Sequence, residues 1–107
     1  MEIKDFADAM EKAVALNNER TRAIEDFRSK VDLAETADRL IEIRNQYMGI
    51  AKWLLLEECS KGYYTIEDKQ LGQLCIDGIE ACDNELGTAC SDYMVGTILS
   101  KLSSLMS

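Results

Sequence analysis

The sequence predicts an all-α protein, an antiparallel four-helix bundle with short loops, and three observations lead there. The chain of 107 residues has no proline and only six glycines, so little turn chemistry interrupts it. Its apolar residues recur at threes and fours, the repeat of one helix face, and no segment alternates long enough to argue for a strand. The segments carrying that repeat are separated by a few residues each, which sets successive helices antiparallel. At this length one domain, residues 1–107, is expected, with enough chain to bury a core unaided.

The first helix is expected from about Ile3 to Arg28, with Ile3, Phe6, Ala7, Met10, Ala13, Val14, Ile24 and Phe27 on its apolar face. The polar run from Asn17 to Arg22 predicts a bend or break near Asn17 and Asn18. Asp8 with Lys12, and Asp26 with Lys30, stand four apart in the favourable order.

Asp32 and Glu35 have capping-box spacing, so a second helix is expected from Leu33 to about Ser60, with Gly62 after its end. Its main stripe is Leu33, Ala37, Leu40, Arg44, Tyr47, Ala51, Leu54 and Glu58. A second stripe, Ile43, Ile50 and Trp53, lies on another side. From Tyr47 to Leu56 this helix is therefore apolar around most of its circumference and needs cover on more than one side.

Thr65, followed three residues later by Asp68, predicts the start of a third helix running from Ile66 to about Leu86. Gly87 supplies a stop and Thr88 a new cap. The fourth helix is expected from roughly Ala89 to Leu105, with Tyr93, Val95, Ile98, Leu99, Leu102 and Leu105 apolar.

The net charge is −8, and residues 55–107 carry −6 of it. So acidic a surface repels nucleic acid and anionic membranes, because it has few cations to displace their counterions. The start of the chain lacks the apolar core of a signal peptide, and the most apolar run, Tyr47 to Cys59, falls far short of the ~20 residues of a membrane span. A cytoplasmic protein is expected, with its four cysteines as free thiols.

Three of those cysteines fall within CIDGIEACDNELGTAC, residues 75 to 90. Cys75 and Cys82 share the inward stripe of the third helix with Leu71, Leu74, Gly78, Ile79 and Leu86, which reads as helix core. Gly78 on that face would let a neighbouring helix come close. Zinc prefers thiolates two to four residues apart or added histidines, and the chain has no histidine. No metal and no cofactor are expected.

The lack of histidine also excludes Ser-His-Asp and Cys-His catalysis. The glycines are scattered, so no phosphate-cradling loop exists. What remains for an enzyme is carboxylates three apart on helices, Glu35 with Asp38 and Asp77 with Glu80, which suit Mg²⁺. Helical nucleotide pyrophosphatases of the MazG and dimeric dUTPase kind carry E-x-x-E and then E-x-x-D. Here the order is reversed and the separation too long, so a Mg²⁺-dependent nucleotide hydrolase ranks as a second alternative, and no catalytic residue is expected.

The leading expectation is a module that binds another protein: an adaptor, chaperone-like protein or regulator. Ile43, Tyr47, Ile50 and Trp53 are the apolar candidates, for a partner or for a homodimer, since aromatic anchors dominate such contacts. The alternative to that role is a central helix that packs on two neighbours. Asp77, Glu80, Asp83 and Glu85 are the acidic candidates, expected to meet water and suited to a partner with a basic surface. They carry the first alternative, an inhibitor of mobile-element or phage type that blocks a basic nucleic-acid-binding surface.

Overall fold

Four helices form in the order α1 (Phe6–Arg28), α2 (Leu33–Glu57), α3 (Ile66–Leu86) and α4 (Tyr93–Met106). The structure is a computed structural model, and it describes residues 2–57, 62–87 and 93–106. The helices pack as an antiparallel bundle of 45 × 26 × 20 Å, and α1 and α4 each lie on both α2 and α3. The described part of α2 ends at Glu57, three residues before the expected end, and Cys59, Thr88, Cys90 and Asp92 lie outside the described residues. Among the described residues no helix is long and apolar enough to cross a membrane.

Local chemistry sets the helix ends. Asp5 caps α1 by accepting from the Asp8 N–H at 2.8 Å, so the helix starts at Phe6 and not at Ile3. At α3 the Thr65 hydroxyl accepts from the Asp68 N–H (3.1 Å) while Asp68 accepts from the Thr65 N–H (2.8 Å), a complete capping box. Gly87 closes α3 in the left-handed region, φ 72°. Asp32 gives α2 part of its expected cap, accepting from the Glu35 N–H at 3.2 Å.

The end of α1 has no glycine to announce it. The Val31 N–H reaches back to the Asp26 carbonyl and the Lys30 N–H to that of Phe27, the two bonds of a Schellman motif. Lys30 occupies its left-handed position at φ 61°. Having left the helix, Lys30 is not the partner of Asp26; Arg39 of α2 is, at 3.0 Å. The expected Asp8–Lys12 pair does form, at 2.6 Å.

The expected break near Asn17 does not occur, and α1 runs unbroken through it. The apolar stripe continues past the polar run: Leu16 and Ala23 are buried on either side, and Asn17 accepts a hydrogen bond from the Tyr47 hydroxyl. The α1 stripe is also rotated from the expected one. Ala9, Ala13, Leu16 and Ala23 form its buried centre, while Phe6, Met10, Ile24 and Phe27 flank it and Val14 faces solvent. Alanines allow the closest helix approach, so they take the centre of the contact and the larger residues fill its margins.

One core cluster joins all four helices. Leu40, Tyr47, Ile50, Ala51 and Leu54 of α2 meet Leu71, Cys75, Ile79 and Cys82 of α3, with the α1 alanines on one side and Ile98, Leu99 and Leu102 of α4 on the other. Most of the α2 girdle is covered because three helices pack around it; Leu56 at its end is not.

Candidate functional site

Of the apolar candidates, Ile43, Tyr47 and Ile50 are buried inside this bundle. Their burial corrects the expectation of an open apolar face and bears out the other reading, a central helix that packs on its neighbours, since α1 and α3 both lie against α2. Trp53 is half-buried against the core and keeps an exposed edge. One turn further along α2, Leu56 is 74% exposed, and across the α2–α3 corner Tyr63 is 62% and Ile66 74% exposed. Leu56 and Ile66 were not singled out from the sequence, whereas Tyr63, in the loop just past α2, was expected to extend the apolar patch. Leu56 stood inside a run read as core, and Ile66 in the first turn of a helix whose cap drew the attention.

The acidic candidates divide. Asp77 and Glu80 are exposed on the outer face of α3. Asp83 is instead buried, its carboxylate paired with the Arg44 guanidinium at 2.9 Å, the two side chains 4% and 13% exposed. Glu85 accepts from Arg28 of α1, through Nε at 3.0 Å and through the terminal nitrogen. The expected acidic face thus loses two of its four charges to contacts between helices. The physical reason is arginine placement: Arg44 lies on the buried side of α2 and draws Asp83 inward, and Arg28 ends α1 beside the end of α3.

Cys75 and Cys82 are buried free thiols, as their stripe implied. Burial pushes the Cys75 thiol up to about 12 and that of Cys82 to about 11. Both are therefore protonated and unreactive at neutral pH. Burial likewise raises the phenol of Tyr47.

Among the described residues, two grooves flank α1. The one shared with α2 has a volume of about 460 Å³, and charged groups line it: Glu19 and Arg22 from α1, then Glu35, Asp38, Arg39 and Glu42. Ile43 is its apolar contribution. Glu35 and Asp38, the E-x-x-D pair, thus stand in a wall of mixed charge. Among the described residues no group of three or more histidine, cysteine or acidic side chains is placed to hold a metal ion. The groove shared with α3 has about 340 Å³ and is different in kind. Met10 and Leu74 give it an apolar floor, Gln70 and Gln73 a neutral rim, and Asp77 one charged end.

Compared with protein-family models, with curated proteins and with solved structures, the chain matches none. The functional reading accordingly rests on its own residues.

Proposed function

We propose that this chain is a small cytoplasmic protein-binding module, an adaptor, chaperone-like protein or regulator, without catalysis of its own. The observation that carries the reading is the α2–α3 corner. Leu56, Tyr63 and Ile66 face solvent there although the core is filled without them. Scattered apolar residues on a surface are ordinary, but three large ones flank a single connection between helices, with the half-buried Trp53 one turn before Leu56, and aromatic and large apolar residues are the usual anchors of an interface. Buried free thiols fit a reducing compartment.

The alternatives draw less from the geometry. A nucleic-acid mimic needs a dense row of charges, and Asp77 and Glu80 are what the four acidic candidates leave exposed. The Mg²⁺-dependent hydrolase would rest on Glu35 and Asp38, which line a groove together with Arg22 and Arg39.

The test replaces Leu56 and Ile66 together by aspartate. Thermal melting followed by circular dichroism checks the fold; sedimentation across a concentration series and cross-linking in native extract check association. The melting curve should be unchanged, while the cross-linked partner, or the dimer if the partner is a second copy, is lost. Association that persists undiminished refutes this corner as the interface, and loss of the fold reassigns both residues to the core.

A further inference from the structure

We propose that the α1–α3 groove docks a short amphipathic helix of a partner protein, one that carries a lysine or arginine beside its apolar anchors. The inference rests on the reading of the chain as a protein-binding module but concerns a different surface from the α2–α3 corner. The groove runs between two helices that are fixed by the core beneath it, so its walls are in place before a partner arrives. Met10 and Leu74 make its floor, and Val14, 49% exposed, stands one turn beyond Met10 on α1. From Gln70 to Asp77 the α3 wall measures roughly 10 Å at the rise of a helix, about two turns of a docked one. Apolar side chains one turn apart on such a helix would lie over Met10 and Leu74, the arrangement by which helices are read in grooves. The flexible thioether of Met10 suits a floor that must fit an incoming side chain.

Charge decides the occupant. Asp77 closes one end of the groove and Glu80 follows it one turn on; both are exposed, and no cation of the described residues pairs with either. The neighbour that Asp77 does engage is neutral, the Gln73 amide at 2.8 Å. A second copy of the chain is a poor occupant, because the described lining of the groove holds no cation to meet the copy's Asp77 and Glu80, in a molecule already at −8. A basic residue beside the anchors supplies that cation. The larger α1–α2 groove is a poorer match, because two arginines stand among its four acids and Ile43 is its one apolar lining residue among the described residues.

The experiment is selection from a display library of helical peptides against the folded, full-length protein, followed by NMR titration of the strongest binder. Enriched peptides should share two apolar residues one turn apart and a nearby lysine or arginine. Their amide shifts should concentrate on Met10, Val14, Gln70, Leu74 and Asp77. Asp77→Lys with Glu80→Lys should weaken binding at least about tenfold, and Val14→Asp, at an exposed position, should do so without changing the melting temperature. Glu35→Lys and the double aspartate variant of Leu56 and Ile66 should leave the affinity unchanged, which separates failure here from failure of the corner. Three outcomes overturn the proposal: peptides that map elsewhere, binding indifferent to Asp77 and Glu80, or concentration-dependent shifts of the groove without peptide, which would make the occupant a second copy.

Discussion

The ring of Tyr47 lies directly on the Cα of Gly78, so closely that a Cβ at position 78 would overlap its Cζ, Cε1 and Cε2 atoms. Tyr47 is fully buried there and donates its hydroxyl hydrogen to the Asn17 side chain, which ties α1, α2 and α3 together through one residue. Gly78→Ala should therefore destabilise the protein, against the ~1 kcal/mol by which alanine is the better helix former. A loss of roughly 1–3 kcal/mol is expected from overpacking. Urea unfolding measures it, and in a Tyr47→Leu background the same substitution should cost less, because the two side chains compete for one space.

The Arg44–Asp83 pair gives a second prediction. Its charges are nearly out of water, and the Arg44 Nε is buried without a hydrogen-bond partner. Removing one member takes the counter-charge from a buried ion. Asp83→Ala or Arg44→Ala should each cost about 3–5 kcal/mol, whereas the joint replacement Arg44→Met with Asp83→Leu should cost far less. Chemical denaturation of the three variants decides it. Equal losses in all three would mean that packing and not charge governs the site.

Cys75 and Cys82 should resist alkylation in the folded protein and react only as it unfolds. Mass spectrometry of labelled peptides would read each site separately. The same burial predicts instability in alkali. An unfolded thiol loses its proton near pH 9, whereas these hold theirs to about 12 and about 11. Between those limits the unfolded state binds fewer protons, so stability falls as pH rises, by roughly 1.4 kcal/mol per pH unit for each thiol. The raised phenol of Tyr47 acts in the same direction above its ordinary pKa of 10. Melting temperatures measured from pH 8 to 11 should fall, and Cys75→Ala should flatten the decline even though it lowers stability at pH 7.

Lys30→Gly is expected to stabilise. Lys30 holds the left-handed position of the α1 Schellman motif with a side chain that disfavours it, and its ammonium group makes no ion pair among the described residues. Glycine removes that strain at some cost in unfolded-state entropy, for a net gain of about 0.5–1 kcal/mol. An unchanged urea midpoint would show that the strain is relieved in another way.

Most of the α3 inward stripe was legible, because Leu71, Cys75, Ile79 and Cys82 recur with the helix period and are buried where that period puts them; Leu74 and Leu86 are only partly buried, and Ala89 of the expected stripe lies outside the described residues. The Thr65–Asp68 cap and the Gly87 stop were legible too, since each depends on residues within one turn of each other. The α1 stripe was read one position off its centre. Ala13 was on the expected face and is buried, but Val14 was placed there too and faces solvent, while Ala9, Leu16 and Ala23, which complete the contact, were not on it. The candidate sites were the least legible. Nothing near Asp83 in sequence distinguishes it from Asp77; Arg44, thirty-nine residues away, makes one of them core and leaves the other on the surface.

By itself, the sequence determined what short-range physics controls: four helices, the cap of α3, which cysteines face inward, and a charge that disfavours nucleic acid. Tertiary structure decided which apolar and acidic residues remain open to a partner. Exposure depends on what the rest of the chain places against a residue, and that neighbour stands far away in sequence. Ile43, Ile50 and Asp83 were consumed by the fold in this way, while Leu56, Ile66 and the Met10–Leu74 groove were left uncovered.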